Sequence, residues 1–122
     1  MGGLTYAPAV SGRSRHIVFT EIPEEVADDP WFKIVEFLQQ NWAVIVDKGA
    51  TVVVVFYGDT RGVFDEMEFE SVDDATEALI RNGFSRYLAD TKAQEFIGLP
   101  QGKFREQDHP NGRIYSSGRF WR

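Results

Sequence analysis

Asp65 is the residue whose type and position come closest to acid–base chemistry. In the run Gly62-Val63-Phe64-Asp65-Glu66-Met67-Glu68-Phe69-Glu70 it shares strand parity with Met67 and Phe69, so it points with them toward a core unless a bulge intervenes. A carboxylate there must be paired or must raise its pKa, and either condition suits a general acid or base. Glu66, Glu68 and Glu70 have the opposite parity and form a wet row. The competing expectation leaves Asp65 solvated at the mouth of the strand, beside Gly62.

The chain has two histidines, His16 and His109. Neither lies in an H-x-x-x-H or H-E-x-x-H frame, so a histidine-rich metal site is excluded within one chain and no metal is expected. Asp65 and His109 are the weak catalytic candidates; a loop histidine before Pro110 is the plainer account of His109. Near the C-terminus, Arg113, Tyr115, Ser116, Ser117, Arg119 and Trp121 mix aromatic bulk with hydrogen-bond donors. That mix lines interfaces or pockets, and it also closes cores, which is the favoured expectation here. The expected binding set is Glu66, Glu68, Glu70, Arg113, Tyr115 and Trp121.

Other chemistries are absent. There is no cysteine, which removes disulfides, thiolate catalysis and Cys-based metal sites. Gly98-Leu99-Pro100-Gln101-Gly102-Lys103-Phe104 has the outline of a phosphate-binding loop, yet it is one residue short and puts Phe104 where Ser or Thr would hold magnesium. No G-x-G-x-x-G occurs, no G-x-S-x-G surrounds Ser116 or Ser117, and the acids do not follow calcium-loop spacing. No cofactor is expected.

The charge is uneven. Net charge is −6 over 122 residues, but residues 21–77 carry fifteen acids against three bases, while residues 102–122 carry five bases against two acids. Sequence-independent nucleic-acid binding needs a basic footprint and is disfavoured. An acidic surface either aids solubility or steers a basic partner. No signal-peptide pattern and no run of membrane length appear, so a cytoplasmic protein with no membrane partner is expected.

These side chains need a scaffold. Residues 42–46, 51–57 and 63–70 are rich in Val, Ile, Phe and Tyr and are separated by Asp47-Lys48-Gly49 and Gly58-Asp59-Thr60-Arg61-Gly62. Each break holds a glycine able to take positive φ. The connections are too short for crossovers, so the strands form an antiparallel meander. Val52 to Tyr57 is apolar throughout, which predicts a central strand covered on both faces.

Trp31, Ile34, Val35 and Leu38 follow i, i+3, i+4, i+7, with Asp29 as N-cap and Pro30 at the first helical position, so a helix over 30–40 is predicted. Ser71 caps a second helix over 72–82, stopped by Gly83, and Thr91 opens a third over 91–97. Residues 15–20 fit a further strand ended by Pro23. Residues 113–115 and 119–121 fit a C-terminal strand or hairpin that docks, and residues 1–13 fit a flexible arm.

The sum is one α+β domain over 14–122, with an antiparallel sheet of three or more strands and helices mainly on one face. Its expected function is that of a small acidic protein-binding module, an inhibitor or immunity-type protein recognising a basic partner. The alternatives are a small-molecule-binding or enzymatic domain with a pocket near Asp65, and a homodimeric structural subunit.

Overall fold

The computed structural model describes residues 19–35, 39–107, 115 and 121. In chain order the elements are α1 (Glu24–Ala27), β1 (Trp31–Ile34), β2 (Gln40–Asp47), β3 (Val52–Tyr57), β4 (Gly62–Phe69), α2 (Val72–Arg81), β5 (Ser85–Arg86), a 3-10 turn (Tyr87–Ala89), α3 (Thr91–Phe96) and β6 (Arg105–Glu106). The strands form one sheet in the order β5-β1-β2-β3-β4-β6, antiparallel except for the β4–β6 pair. The fold is α+β.

The β2-β3-β4 meander matches the expected one to within a residue or two at each end. Strand β3 lies between β2 and β4, and all six of its residues are buried. Side chains alternate between faces, so β3 feeds two cores. Val52, Val54 and Phe56 join Ala75, Ala78 and Leu79 of α2 on the first face. Val53, Val55 and Tyr57 join Ala27 of α1, Trp42 and Tyr87 on the second. The helices thus cover both faces, rather than mainly one. The cause is β3 itself: a strand apolar at every position needs cover on each side.

The predicted helix over 30–40 is not formed. Trp31–Ile34 is a strand, and Gln40 already belongs to the next one. Val35 N–H donates to Gln39 O at 2.9 Å, and the strands pair Phe32 with Trp42 and Ile34 with Gln40. The physical reason lies in two consecutive aromatics. Trp31 is buried in the first core and Phe32 in the second, where its ring meets Trp42 at 5.7 Å and Tyr87 at 5.9 Å. Neighbouring residues can reach opposite cores from a strand but not from one helical stripe. Asp29, expected as the N-cap, instead pairs with Arg86, and the Pro30 carbonyl accepts from Tyr87 N.

The helix that does form here is α1, begun by Pro23, whose carbonyl accepts from Val26 N and Ala27 N. Of the strand expected over 15–20, residues 15–18 lie outside the described set, and Phe19 and Thr20 are irregular.

Helix α2 is as expected. Ser71 Oγ accepts from Asp74 N at 3.0 Å, and Gly83 at φ 91° lets Phe84 N–H donate back to Leu79 O. Helix α3 is capped by the Asp90 side chain rather than by Thr91.

In the first hairpin Gly49 takes positive φ, at 92°. In the second, neither glycine does; Arg61 does, at 66°. Gly62 has another duty, because a Cβ there would lie 2.0 Å from Gln107 Oε1, where the chain comes in beside β4. The hairpin expected from residues 113–115 and 119–121 falls outside the described residues apart from Tyr115 and Trp121. Both are buried in the first core.

Candidate functional site

Asp65 is carried inward by β4, opposite Phe56 of β3. The two strands slip register by one residue between Phe56 and Tyr57, so Phe64 is the extra residue of a β-bulge. Val63 therefore joins the second core, while Asp65 faces the first with Met67 and Phe69. The expected inward parity holds on the far side of the bulge.

The Asp65 carboxylate is buried and used. Its Oδ2 accepts the backbone N–H of Tyr115 at 2.8 Å, and its Oδ1 accepts that of Glu66 at 2.9 Å. The Tyr115 ring stacks on Phe56 at 4.3 Å, and Trp121 meets both rings edge-on at 5.3 and 5.4 Å. Asn41 Nδ2, from β2, donates to the Tyr115 hydroxyl. Burial pushes the Tyr115 phenol up to about 12; the Asn41 hydrogen bond pulls it down, and the Asp65 charge pushes it up. At neutral pH that hydroxyl keeps its proton and can act only as a donor or a neutral acceptor. Asp65, Tyr115 and Trp121 are thus brought together, around Phe56.

The glutamates are not a uniform wet row. Glu66 and Glu68 stand opposite Val55 and Val53, so they share the second face. Glu66 is half-buried there. Its two carboxylate oxygens accept from Thr20, one from the backbone N–H and the other from the hydroxyl at 3.0 Å. Glu68 is exposed, and Glu70 is exposed just past the end of β4. His109 and Arg113 lie outside the described residues.

Two features escaped the sequence. The first is the outer stripe of α2. Val72 and Ile80 are 41% and 59% exposed, and with Thr76 they recur at every fourth position. Asp73 and Glu77, one position on from Val72 and Thr76, are exposed beside them. Asp47, Glu68, Glu70, Asp73 and Asp74 gather near the same end of the sheet, because Asp47 pairs with Val52 and Val52 with Phe69. The signal was present as hydrophobic residues on a helix whose buried face is already made by Ala75, Ala78 and Leu79.

The second feature is Arg61, at the opposite end of β4. It is 9% exposed. Its Nη1 donates to Gly102 O at 3.1 Å, and its guanidinium lies 4.4 Å from the Phe104 ring centre. Nothing in the sequence distinguishes it from an ordinary turn arginine.

No family model, curated protein or solved structure matches the chain. Among the described residues no group of three or more His, Asp or Glu is placed to hold a metal ion, and no helix is long and apolar enough to cross a membrane.

Proposed function

We propose that the protein is an acidic protein-binding module whose docking ridge is the outer stripe of α2. The observation that carries this is the exposure of Val72 and Ile80 in line on one helix, flanked by Asp73 and Glu77. An apolar strip rimmed by acids suits a partner that offers apolar side chains inside a basic rim. Glu70 and Asp74, on either side of the Ser71 cap, extend the acidic field beside it. Charges of this kind raise the association rate and lose effect with salt, while the apolar contacts set the lifetime.

Of the expected binding residues, Glu70 lies exposed beside the Ser71 cap of α2 and belongs to this reading, while Glu68 is exposed on the other face of the sheet. Tyr115 and Trp121 support it by holding the first core closed. A reading in which Asp65 serves a pocket has less support, since both its oxygens already accept backbone N–H groups.

The test is affinity capture from an extract of the source cells, comparing the wild type with Ile80→Asp and with Asp73→Lys/Glu77→Lys. The expected result is a basic protein retained by wild type, released as salt rises and lost by both variants. Capture unchanged in the variants, or a partner indifferent to salt and without excess positive charge, would overturn the reading.

A further inference from the structure

We infer that the β3–β4 turn carries a second site, in which Arg61 and Tyr57 bind the oxyanion of a small phosphate-bearing molecule. This goes beyond the protein-binding reading and uses the other end of β4.

The turn is built to aim Arg61. Gly58 N–H donates to Gly62 O, and Arg61 N–H to Gly58 O, each at 3.0 Å. These bonds hold Arg61 at φ 66°, a left-handed conformation that favours glycine. An arginine kept where glycine is easiest is doing something with its side chain. That side chain runs inward beneath Phe104, and among the described residues its buried Nε has no hydrogen-bond acceptor. The carboxylate paired with it, Glu24, is 3.7 Å from Nη1, beyond hydrogen-bond reach, and its side chain is 76% exposed. Nη1 is satisfied by Gly102 O, but a buried N–H without an acceptor is costly and rare in native proteins, which points to a ligand at the Nε edge.

Tyr57 supplies the second donor. It is fully buried, and its ring meets the same Phe104 at 4.9 Å. Burial raises its pKa well above the ordinary value, with the Arg61 charge opposing, so the hydroxyl keeps a proton to donate. One oxyanion held by the Nε edge of Arg61 would satisfy that group, and the Tyr57 hydroxyl, packed against the same Phe104 ring, is the second donor.

The surroundings favour a phosphate over a singly charged carboxylate. Arg105 donates to Thr60 O, Thr60 Oγ1 and Gln107 Oε1, all neutral acceptors, so its charge adds to the field. Lys103, two positions before Arg105, is exposed. Phe104 covers both donors, and the backbone bends two residues before it at Gly102, φ 101°. Entry therefore requires the Phe104 ring to swing out. Glu24 is the internal competitor for the guanidinium; Asp59 is exposed in the same turn.

The experiment is an NMR titration with inorganic phosphate at constant ionic strength, beside parallel titrations with acetate and chloride. It follows the Arg61 Nε–H and the backbone amides of residues 58–62 and 102–105. Phosphate should give saturable shifts there. Tyr57→Phe should weaken binding roughly tenfold or more, since it removes one of the two proposed donors. Glu24→Gln should tighten binding by removing the competitor. Arg61→Gly should abolish it in a folded protein, because glycine accepts the turn's φ. If that variant does not fold, Tyr57→Phe and Glu24→Gln decide the matter. Shifts that chloride reproduces, an acetate response stronger than that of phosphate, or Tyr57→Phe and Glu24→Gln titrating like wild type would each overturn the assignment.

Discussion

Asp65 and Tyr115 lie fifty positions apart in sequence and are joined by one buried hydrogen bond, from the tyrosine backbone N–H to the aspartate Oδ2 at 2.8 Å. This inward-facing acid thus holds Tyr115 against the first face of the sheet. Asp65→Asn tests that role. An amide can accept one of the two N–H groups through its oxygen but turns a donor toward the other. The loss should be about 1–3 kcal/mol in urea unfolding, with faster exchange of the Tyr115 amide. Wild-type stability in this variant would mean that the contact is dispensable.

The Tyr115 phenol gives a pH prediction. Its pKa is raised to about 12 from an ordinary value of 10.0 by burial, so the folded state favours the protonated form. The linked stability is therefore fully present below pH 10 and is lost as the pH climbs toward 12. That loss amounts to about 3 kcal/mol at most. Tyr57 shifts in the same direction and adds to it. Tyr115→Phe should flatten the alkaline limb of a stability–pH profile. It should also cost about 1–3 kcal/mol at neutral pH, because Asn41 loses its partner in a buried site.

Val54 sits at the centre of β3, fully buried and facing α2. Val54→Asp places a carboxylate there without a partner, a penalty of several kcal/mol against a total stability of roughly 5–15. Circular dichroism should show an unfolded chain, and a folded, soluble variant would contradict the central placement of β3.

Gly62→Ala probes how closely the chain approaches β4 near Gln107. The new methyl group would collide with the Gln107 side chain, at both Oε1 and Cβ. Residues 105–107 must then move, breaking the bonds from Arg105 N to Arg61 O and from Gln107 N to Val63 O. Destabilisation of about 1–3 kcal/mol is expected, with lost protection of the Gln107 amide. An unchanged melting temperature would show that this approach is loose.

How much of this was legible follows from the kind of information each feature needs. Residues 52–57 and 62–69 declared themselves because β-branched and aromatic types lie between turn residues, and both signals are local. The Ser71 cap and Gly83 stop of α2 are local too. Trp31–Ile34 was hidden because Trp31, Ile34, Val35 and Leu38 satisfy a helical period on their own. Only Phe32, which needs a second core, breaks the tie, and that core is made by distant Trp42 and Tyr87. Asp65's inward direction could be read from parity, but the Tyr115 amide that meets it could not. The left-handed residue of the second hairpin is Arg61, although Gly58 and Gly62 bound the same turn and attract the assignment.

The stacking of Tyr115 and Trp121 on Phe56 has a consequence for synthesis of the chain. Translation proceeds from N- to C-terminus, so the sheet and α2 leave the ribosome while the Phe56 ring still lacks its aromatic cover. The first core can close only after Trp121 has cleared the exit tunnel. A nascent chain stalled short of that point should cross-link to chaperones through a photoreactive group at position 56, and a fully emerged chain should not.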